Sequence, residues 1–267
     1  ILVRTFVDAG ELMSYPYPSY ILYESLADIQ GARHERILLN PDWSWNHGVA
    51  APVVERSKMV LVPNPNSPSG NRWSDDEIVR LVPPRGVLVL DEAYGDFCDD
   101  PHRAQILERA EGRRIVITRT LSKSYSLAGI RFGFSISDPE FAAAMRKVKD
   151  SYNCNTLSLA AALAALEDQD WMRQNVARIR QTRSRLTATL RERGWKVVES
   201  QSNFVWTTHE SGDHRRIYEA LKARRILVRY MNFPLDGAEG GTRDGLRITV
   251  GTDVEIDTLL AALGEVT

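Results

Sequence analysis

Three short, β-branched apolar runs, each ending in a polar cluster, constrain this chain more than any other feature. They are MVLVPN from Met59, GVLVLDEAY from Gly86 and RIVITRTLSK from Arg114. Each is too short for a buried helix and is bounded by turn residues, so each reads as a buried strand. Helix-period stretches alternate with such runs and no internal repeat intervenes, which reads as an α/β fold with a largely parallel sheet. In open sheets of this kind ligands bind beyond the carboxyl ends of the strands. The polar clusters after the three runs are therefore where a site is expected.

Downstream, RFGFSIS is a further strand candidate, and Asp138 followed by Pro139 predicts the start of a helix running to about Lys149. The alanine-rich LSLAAALAAL from Leu157 predicts a helix packed in the interior. From about Trp171 to Arg193, Val176, Ile179, Leu186 and Leu190 share one helical face with arginines elsewhere, and Gly194 is a natural stop. This long helix is expected to bridge two domains. A smaller α+β unit should follow, with strands near WKVVES and NFVWTT, a helix from about Asp213, strands near ILVRY and LRITVG, and a terminal helix from about Asp253. The expected division is residues 1–160 and residues 161–267.

Composition narrows the function classes. Over 267 residues the formal net charge is −1 and the basic residues are scattered, so nothing marks a nucleic-acid partner. No apolar run approaches the roughly 20 residues needed to cross a bilayer, and the opening ILVRTFVDAG lacks the flanks of a signal peptide. No membrane association and a cytoplasmic location are expected. Cys98 and Cys154 stand apart with no CxxC or histidine-rich partner, which argues against a metal site or a disulfide framework and for small buried apolar residues. The histidines lie in polar stretches without nucleophile or metal-ligand spacing and are given no role. ILVRTF reads like the middle of an amphipathic helix with no capping residue before it, so the chain is expected to be a fragment or a partly ordered chain.

The residues that can carry chemistry fall in four segments: NPNSPSG (Asn64 to Gly70), DEAY (Asp91 to Tyr94), SKSYSLAGIRFG (Ser122 to Gly133) and LRITVGT (Leu246 to Thr252). Singly each is weak. Lys123 lies just past a buried strand in a Ser-Lys turn, yet a lone lysine is most often a solvated charge. Asp91 ends the apolar run VLVL, where a carboxylate is costly to bury unless it meets a cation, although it could instead cap a helix.

Taken together, in this order and at these spacings, the four segments resemble the pyridoxal-phosphate (PLP) aminotransferases of fold type I across almost the whole chain. The resemblance implies a three-layer α/β/α large domain with a mostly parallel sheet and a smaller α+β C-terminal domain. It implies PLP held by Lys123 as a Schiff base, the same amine then serving as general base and acid at the substrate Cα. On the same basis Asp91 pairs with the protonated pyridine nitrogen, Tyr94 hydrogen-bonds the phenolic oxygen, Ser122 and Arg131 grip the cofactor phosphate, and Tyr20 stacks on the ring. Tyr94 as a core aromatic and Tyr20 as plain loop packing are the bland alternatives. The family usually has asparagine directly before Pro-Thr-Gly; here Ser67 occupies that place and Asn66 precedes it, so either side chain could fill the role.

Arg247 matches the family's α-carboxylate-binding arginine. Arg229, in ILVRYMNFP, matches an arginine that the histidinol-phosphate branch uses for substrate phosphate, with a surface ion pair as its alternative. KVKDSYNCNTLS from Lys147 points modestly to the same branch. The implied reaction is ping-pong amino transfer between histidinol phosphate and 2-oxoglutarate in histidine biosynthesis, by a homodimer. A threonine-phosphate decarboxylase-like lyase, an aromatic aminotransferase and a non-catalytic relative remain alternatives. The resemblance also places ahead of Ile1 an arm, a glycine-rich phosphate-binding turn and a tyrosine reaching the neighbouring subunit.

Overall fold

A computed structural model of the chain describes residues 1–100, 105–109, 114–235 and 241–267. In chain order the strands are β1 (Leu12–Tyr17), β2 (Arg33–Leu38), β3 (Met59–Pro63), β4 (Val87–Asp91), β5 (Ile115–Thr120), β6 (Gly133–Ile136), β7 (Lys196–Val197), β8 (Phe204–Thr208), β9 (Arg229–Leu235) and β10 (Gly241–Thr249). The helices are α1 (Leu2–Phe6), α2 (Leu22–Gln30), α3 (His47–Arg56), α4 (Asp75–Val79), α5 (Gln105–Arg109), α6 (Pro139–Val148), α7 (Thr156–Glu167), α8 (Gln169–Glu192), α9 (His214–Ala223) and α10 (Asp253–Val266).

The first six strands form one sheet in the order β2-β1-β3-β4-β5-β6. Every pair in it is parallel except the last, where β6 runs antiparallel to β5. The three apolar runs are β3, β4 and β5, adjacent at its centre. All five residues of β3 and the first four of β4 are buried, as continuous apolar strands covered on both faces must be. Gly86 admits Lys58 closely: a Cβ there would lie 2.3 Å from the Lys58 carbonyl oxygen, so only glycine lets the chain enter β4 beside β3.

The second sheet, in the order β7-β8-β10-β9, is antiparallel throughout. With α9 and α10 it encloses its own core around Leu186, Val205, Leu246 and Leu263. Its other face completes the first sheet's core. Trp206 and Phe233 join Val60, Val62, Leu88 and Leu90 in one cluster, with Trp206 edge-on to Trp43 at 5.6 Å and Phe233 edge-on to Tyr17 at 5.9 Å.

Helix starts follow side-chain chemistry. The Asp138 carboxylate accepts from the Glu140 N–H ahead of α6, as expected from Asp138-Pro139. Thr252 and Glu255 form a reciprocal capping box at the head of α10. Past α8, Gly194 takes φ +83, the left-handed conformation expected of its stop.

Two expectations are corrected. The apolar α7 is not interior: only Ser158 and Ala162 are buried, while Leu157 is 81 % and Leu163 60 % exposed. Its all-round apolar composition is that of a covered helix, but the cover is not supplied by the described residues of this chain. On α8, the arginines do not all lie off the buried face. Arg183 is buried, donating from Nη1 to the carbonyls of Phe97 and Ser202, both at 3.0 Å, while Arg180 Nε reaches the Phe97 carbonyl at 3.2 Å. These arginines fasten α8 to the turn that follows Asp91.

Candidate active site

The carboxyl ends of β3, β4 and β5 open onto one cleft, roofed by β8 and β10. Asp91 ends β4. Its Oδ2 accepts from the Tyr23 hydroxyl at 2.9 Å and its Oδ1 from the Ala93 N–H at 3.1 Å. The residue keeps some accessible surface, so it stands on the cleft wall rather than in the closed core. Burial is the largest influence on its carboxyl and raises its pKa, opposed by hydrogen bonds from Tyr23, Ala93 and Thr118. Among the described residues no cation pairs with it.

Tyr94 is the centre of the cleft. Its ring meets Phe204 edge-on at 5.0 Å, and Lys123 Nζ stands 5.4 Å from its centroid. Burial raises its phenol pKa; Arg247 and Arg229 oppose that rise and Asp91 adds to it. Lys123, Asp91, Arg247 and Arg229 are thus gathered around one ring. Lys123 itself is exposed to the cleft, on the turn after β5.

Arg247 comes from β10 and Arg229 from β9, directly opposite each other in the antiparallel register. The Arg247 guanidinium lies 4.7 Å over the Phe204 ring and donates from Nη1 to the Ser67 hydroxyl at 3.1 Å; its Nε is buried without a partner among the described residues. Burial lowers its pKa, and the Arg229 charge adds to that effect. Two neighbouring guanidiniums, one partly unsatisfied, make a receptor for an anion.

Ser67 reaches Arg247 because its loop is pressed against the second sheet. Gly70 has φ +80, a Cβ on it would lie 2.5 Å from Ser200 Oγ, and its carbonyl accepts from the Gln201 N–H at 2.7 Å. Asn66 faces the other way. Its Oδ1 accepts from Ser19 at 3.1 Å and its Nδ2 donates to Ser69 at 2.7 Å, so the amide is engaged within the protein.

The remaining candidates line the rim. Thr120 pairs with Gly133 across β5 and β6, which carries Ser122 and Arg131 out on opposite arms of the following turn. Ser122 Oγ accepts from Thr120 at 2.9 Å, while Arg131, with left-handed backbone at φ 54, donates to the Ala128 carbonyl at 2.9 Å. Tyr20 is 46 % exposed and edge-on to Tyr23 at 5.7 Å, adjoining the Asp91 side of the cleft.

A family model described as aminotransferase class I and II matches residues 1–263. The chain belongs to this family. Histidinol-phosphate aminotransferase of Rhodopirellula baltica is 47 % identical over 261 residues, covering 97 % of this chain and 69 % of the relative. The enzyme of that description from Syntrophotalea carbinolica is 41 % identical, covering 99 % and 73 %. Among solved structures, histidinol-phosphate aminotransferase from Sinorhizobium meliloti in complex with pyridoxal-5'-phosphate superposes with a TM-score of 0.85 at 28 % identity, covering 99 % of this chain and 72 % of that one.

The donor set of this class I and II aminotransferase fits the cofactor of such enzymes. A carboxylate enclosed without a cation suits a protonated ring nitrogen, an accessible primary amine suits an aldehyde, and an unsatisfied guanidinium suits a carboxylate. Sequence reasoning missed Tyr23, Phe204 and the group behind Lys123. In that group Arg119 bridges Glu92 at 2.5 Å and Asp96 at 2.7 Å, and Asp96 accepts from Ser124, one residue past the lysine. Tyr23 had a signal, since it stands three residues after Tyr20 at the head of a helix, where side chains at that spacing are neighbours. Phe204 had none, because a phenylalanine in a strand reads as core.

Among the described residues no cluster of metal-ligating side chains forms, and no helix is long and apolar enough to cross a membrane. Cys98 is buried, and burial pushes its thiol up to about 12, in keeping with its reading as a small buried residue, whereas Cys154 is only partly buried.

Proposed function

We propose that this chain is a PLP-dependent histidinol-phosphate aminotransferase passing the amino group to 2-oxoglutarate. The observation that carries the reading is the convergence of Lys123, Arg247 and the charges of Asp91 and Arg229 on the Tyr94 ring. The 47 % identical relative of that description supports the choice of donor.

Bound PLP supplies an aldehyde that bonds an amine and a conjugated ring that accepts the electrons left when a Cα proton departs. Every other part of the task falls to this chain's side chains. Lys123 Nζ would hold the cofactor through its aldehyde and, as a free amine, would serve as the base that takes the substrate Cα proton and the acid that gives it back. Asp91, on the cleft wall, would neutralise the ring nitrogen. The Tyr94 hydroxyl, bonded to Arg247 and kept protonated by burial, donates to the phenolic oxygen, and Ser67 lies beside it on the same guanidinium. Ser122 and Arg131 would hold the cofactor phosphate. Tyr20 covers the ring face. Asn66 shapes its loop from behind Ser67. Arg247 binds the carboxylate of glutamate or 2-oxoglutarate in a forked pair, and Arg229, exposed beside it, takes the phosphate of the other substrate.

We assign residues 1–160 to the cofactor-binding part and 161–267 to the bridging helix and small domain, and we place the enzyme in the cytoplasm as a homodimer. The bare apolar face of α7 supports a subunit contact. The deciding experiment is an amino-donor screen followed by absorption spectroscopy. Histidinol phosphate should yield glutamate from 2-oxoglutarate, and a visible PLP band should vanish on borohydride reduction and be missing in Lys123→Ala. Carbon dioxide from phosphothreonine, or no band in the wild-type chain, would replace this reading.

A further inference from the structure

Tyr23 lies outside every role assigned so far, yet its hydroxyl donates to Asp91 Oδ2 at 2.9 Å. It stands in the first turn of α2, 3 % exposed, with its ring tilted against Tyr15 at 6.0 Å and edge-on to Tyr20 at 5.7 Å. A side chain held on two sides by aromatic rings has little rotational freedom, so its hydroxyl is aimed rather than merely near. With the Ala93 N–H on the other oxygen at 3.1 Å, both carboxylate oxygens are held and the plane of the group is set.

We infer that Tyr23 is a positioning residue that acts through Asp91: its hydroxyl orients the carboxylate toward the cofactor ring nitrogen and weakens it as a base, so that the proton they share stays on the ring. The inference rests on the reading of Asp91 as the ring-nitrogen partner. A hydrogen bond donated to a carboxylate stabilises its charged form. Burial raises the Tyr23 phenol well above its ordinary range, and Asp91 raises it further, so it donates at every pH at which the enzyme works. Without that donor, the enclosed Asp91 would hold a proton more strongly and draw it away from the ring. The ring would then lose part of the positive charge that makes it an electron acceptor.

Tyr23→Phe keeps the aromatic packing and removes only the donor. PLP is titrated into the purified wild-type and variant chains, following the visible band for affinity and for the pH at which the bound chromophore changes colour. The variant should bind PLP about tenfold more weakly, the loss of one hydrogen bond to a charged group. Its colour-change midpoint should move upward, because a less positive ring withdraws fewer electrons from the lysine-bound nitrogen. Tyr20, Tyr94, Lys123, Arg229 and Arg247, the other titratable groups around the cleft, are unaltered by the substitution. In an Asp91→Asn background, adding Tyr23→Phe should change neither quantity further. Equal affinity and midpoint in wild type and Tyr23→Phe would overturn the inference alone, as would an equal loss in both backgrounds, which is the signature of packing. A wild-type chain that takes up no PLP would overturn the functional reading with it.

Discussion

Arg247 Nη1 donates to the hydroxyl of Ser67 at 3.1 Å, joining the second sheet to the loop after β3 across the mouth of the cleft. Ser67→Ala removes the acceptor while leaving the guanidinium stacked on Phe204. Freed of one orienting bond, Arg247 should bind a carboxylate less specifically. The KM for 2-oxoglutarate should rise about three- to tenfold, with a smaller change in kcat, the size expected of one hydrogen bond. Steady-state kinetics with the keto acid varied will show it.

Arg229 is exposed beside Arg247, on the facing strand. If it receives the substrate phosphate, Arg229→Ala should lower kcat/KM for histidinol phosphate by about 10- to 100-fold, the range for a charge-assisted bond. The glutamate half-reaction should suffer less. Single-turnover measurements of the two half-reactions separate these effects, and an equal loss in both would assign Arg229 a general electrostatic role instead.

Glu92 gives a stability prediction whose sign is set by burial. Its carboxyl is 1 % exposed and pushed up to about 7 from an ordinary 4.5, burial outweighing the Arg119 charge beside it. Between those values the folded chain binds more protons than the unfolded one, so this group's contribution to stability falls as pH rises from about 4.5 to about 7, and is flat above. The loss is on the order of 3 kcal/mol at most. Urea unfolding at pH 5 and pH 8 should show a shallower decline in Glu92→Gln than in wild type.

Arg183 holds two buried carbonyls and sits 3.3 Å from Asp99. Arg183→Met keeps much of the volume but orphans the Ser202 carbonyl and leaves the Phe97 carbonyl to Arg180 alone. We expect a loss of about 2–4 kcal/mol in unfolding free energy, read from urea melts. Displacing the Phe97 turn that follows Tyr94 should also weaken PLP binding.

The apolar face of α7 should report on assembly. Leu157→Glu with Leu163→Glu places two charges on a surface that is already solvent-facing in the single chain, so the subunit's own stability should hold. Light scattering after size exclusion should show the wild type as a dimer and the double variant shifted toward monomer.

The parts of the fold that were legible are those where one physical signal dominates. β3, β4 and β5 announce themselves because strands buried on both faces must be apolar throughout. β1 and β2 do not. Pro16 stands within β1 although that strand lies inside the sheet, and β2 is an edge strand whose RHERIL is mostly polar, so neither run carries the β-branched signature. α7 misled for the opposite reason: its composition reports that something covers it, not which chain does. In the site, Lys123 and Asp91 were legible as ends of strands, and Arg247 only through the family resemblance. That Ser67, rather than Asn66, meets Arg247 depends on how Gly70 lets the loop press against Ser200, a contact across 130 residues of chain.

The shared cluster of Trp206 and Phe233 with Val60, Val62 and Leu88 carries a consequence for biosynthesis. As the polypeptide leaves the ribosome, the central strands emerge long before the rings that seal them. Until Trp206 and Phe233 have been translated, one face of the nascent sheet stays open to water and to other sticky surfaces. Contacts of such long sequence separation form late and leave intermediates prone to aggregate. Slow synthesis or a truncated transcript should therefore harm this protein's yield more than its finished stability would suggest.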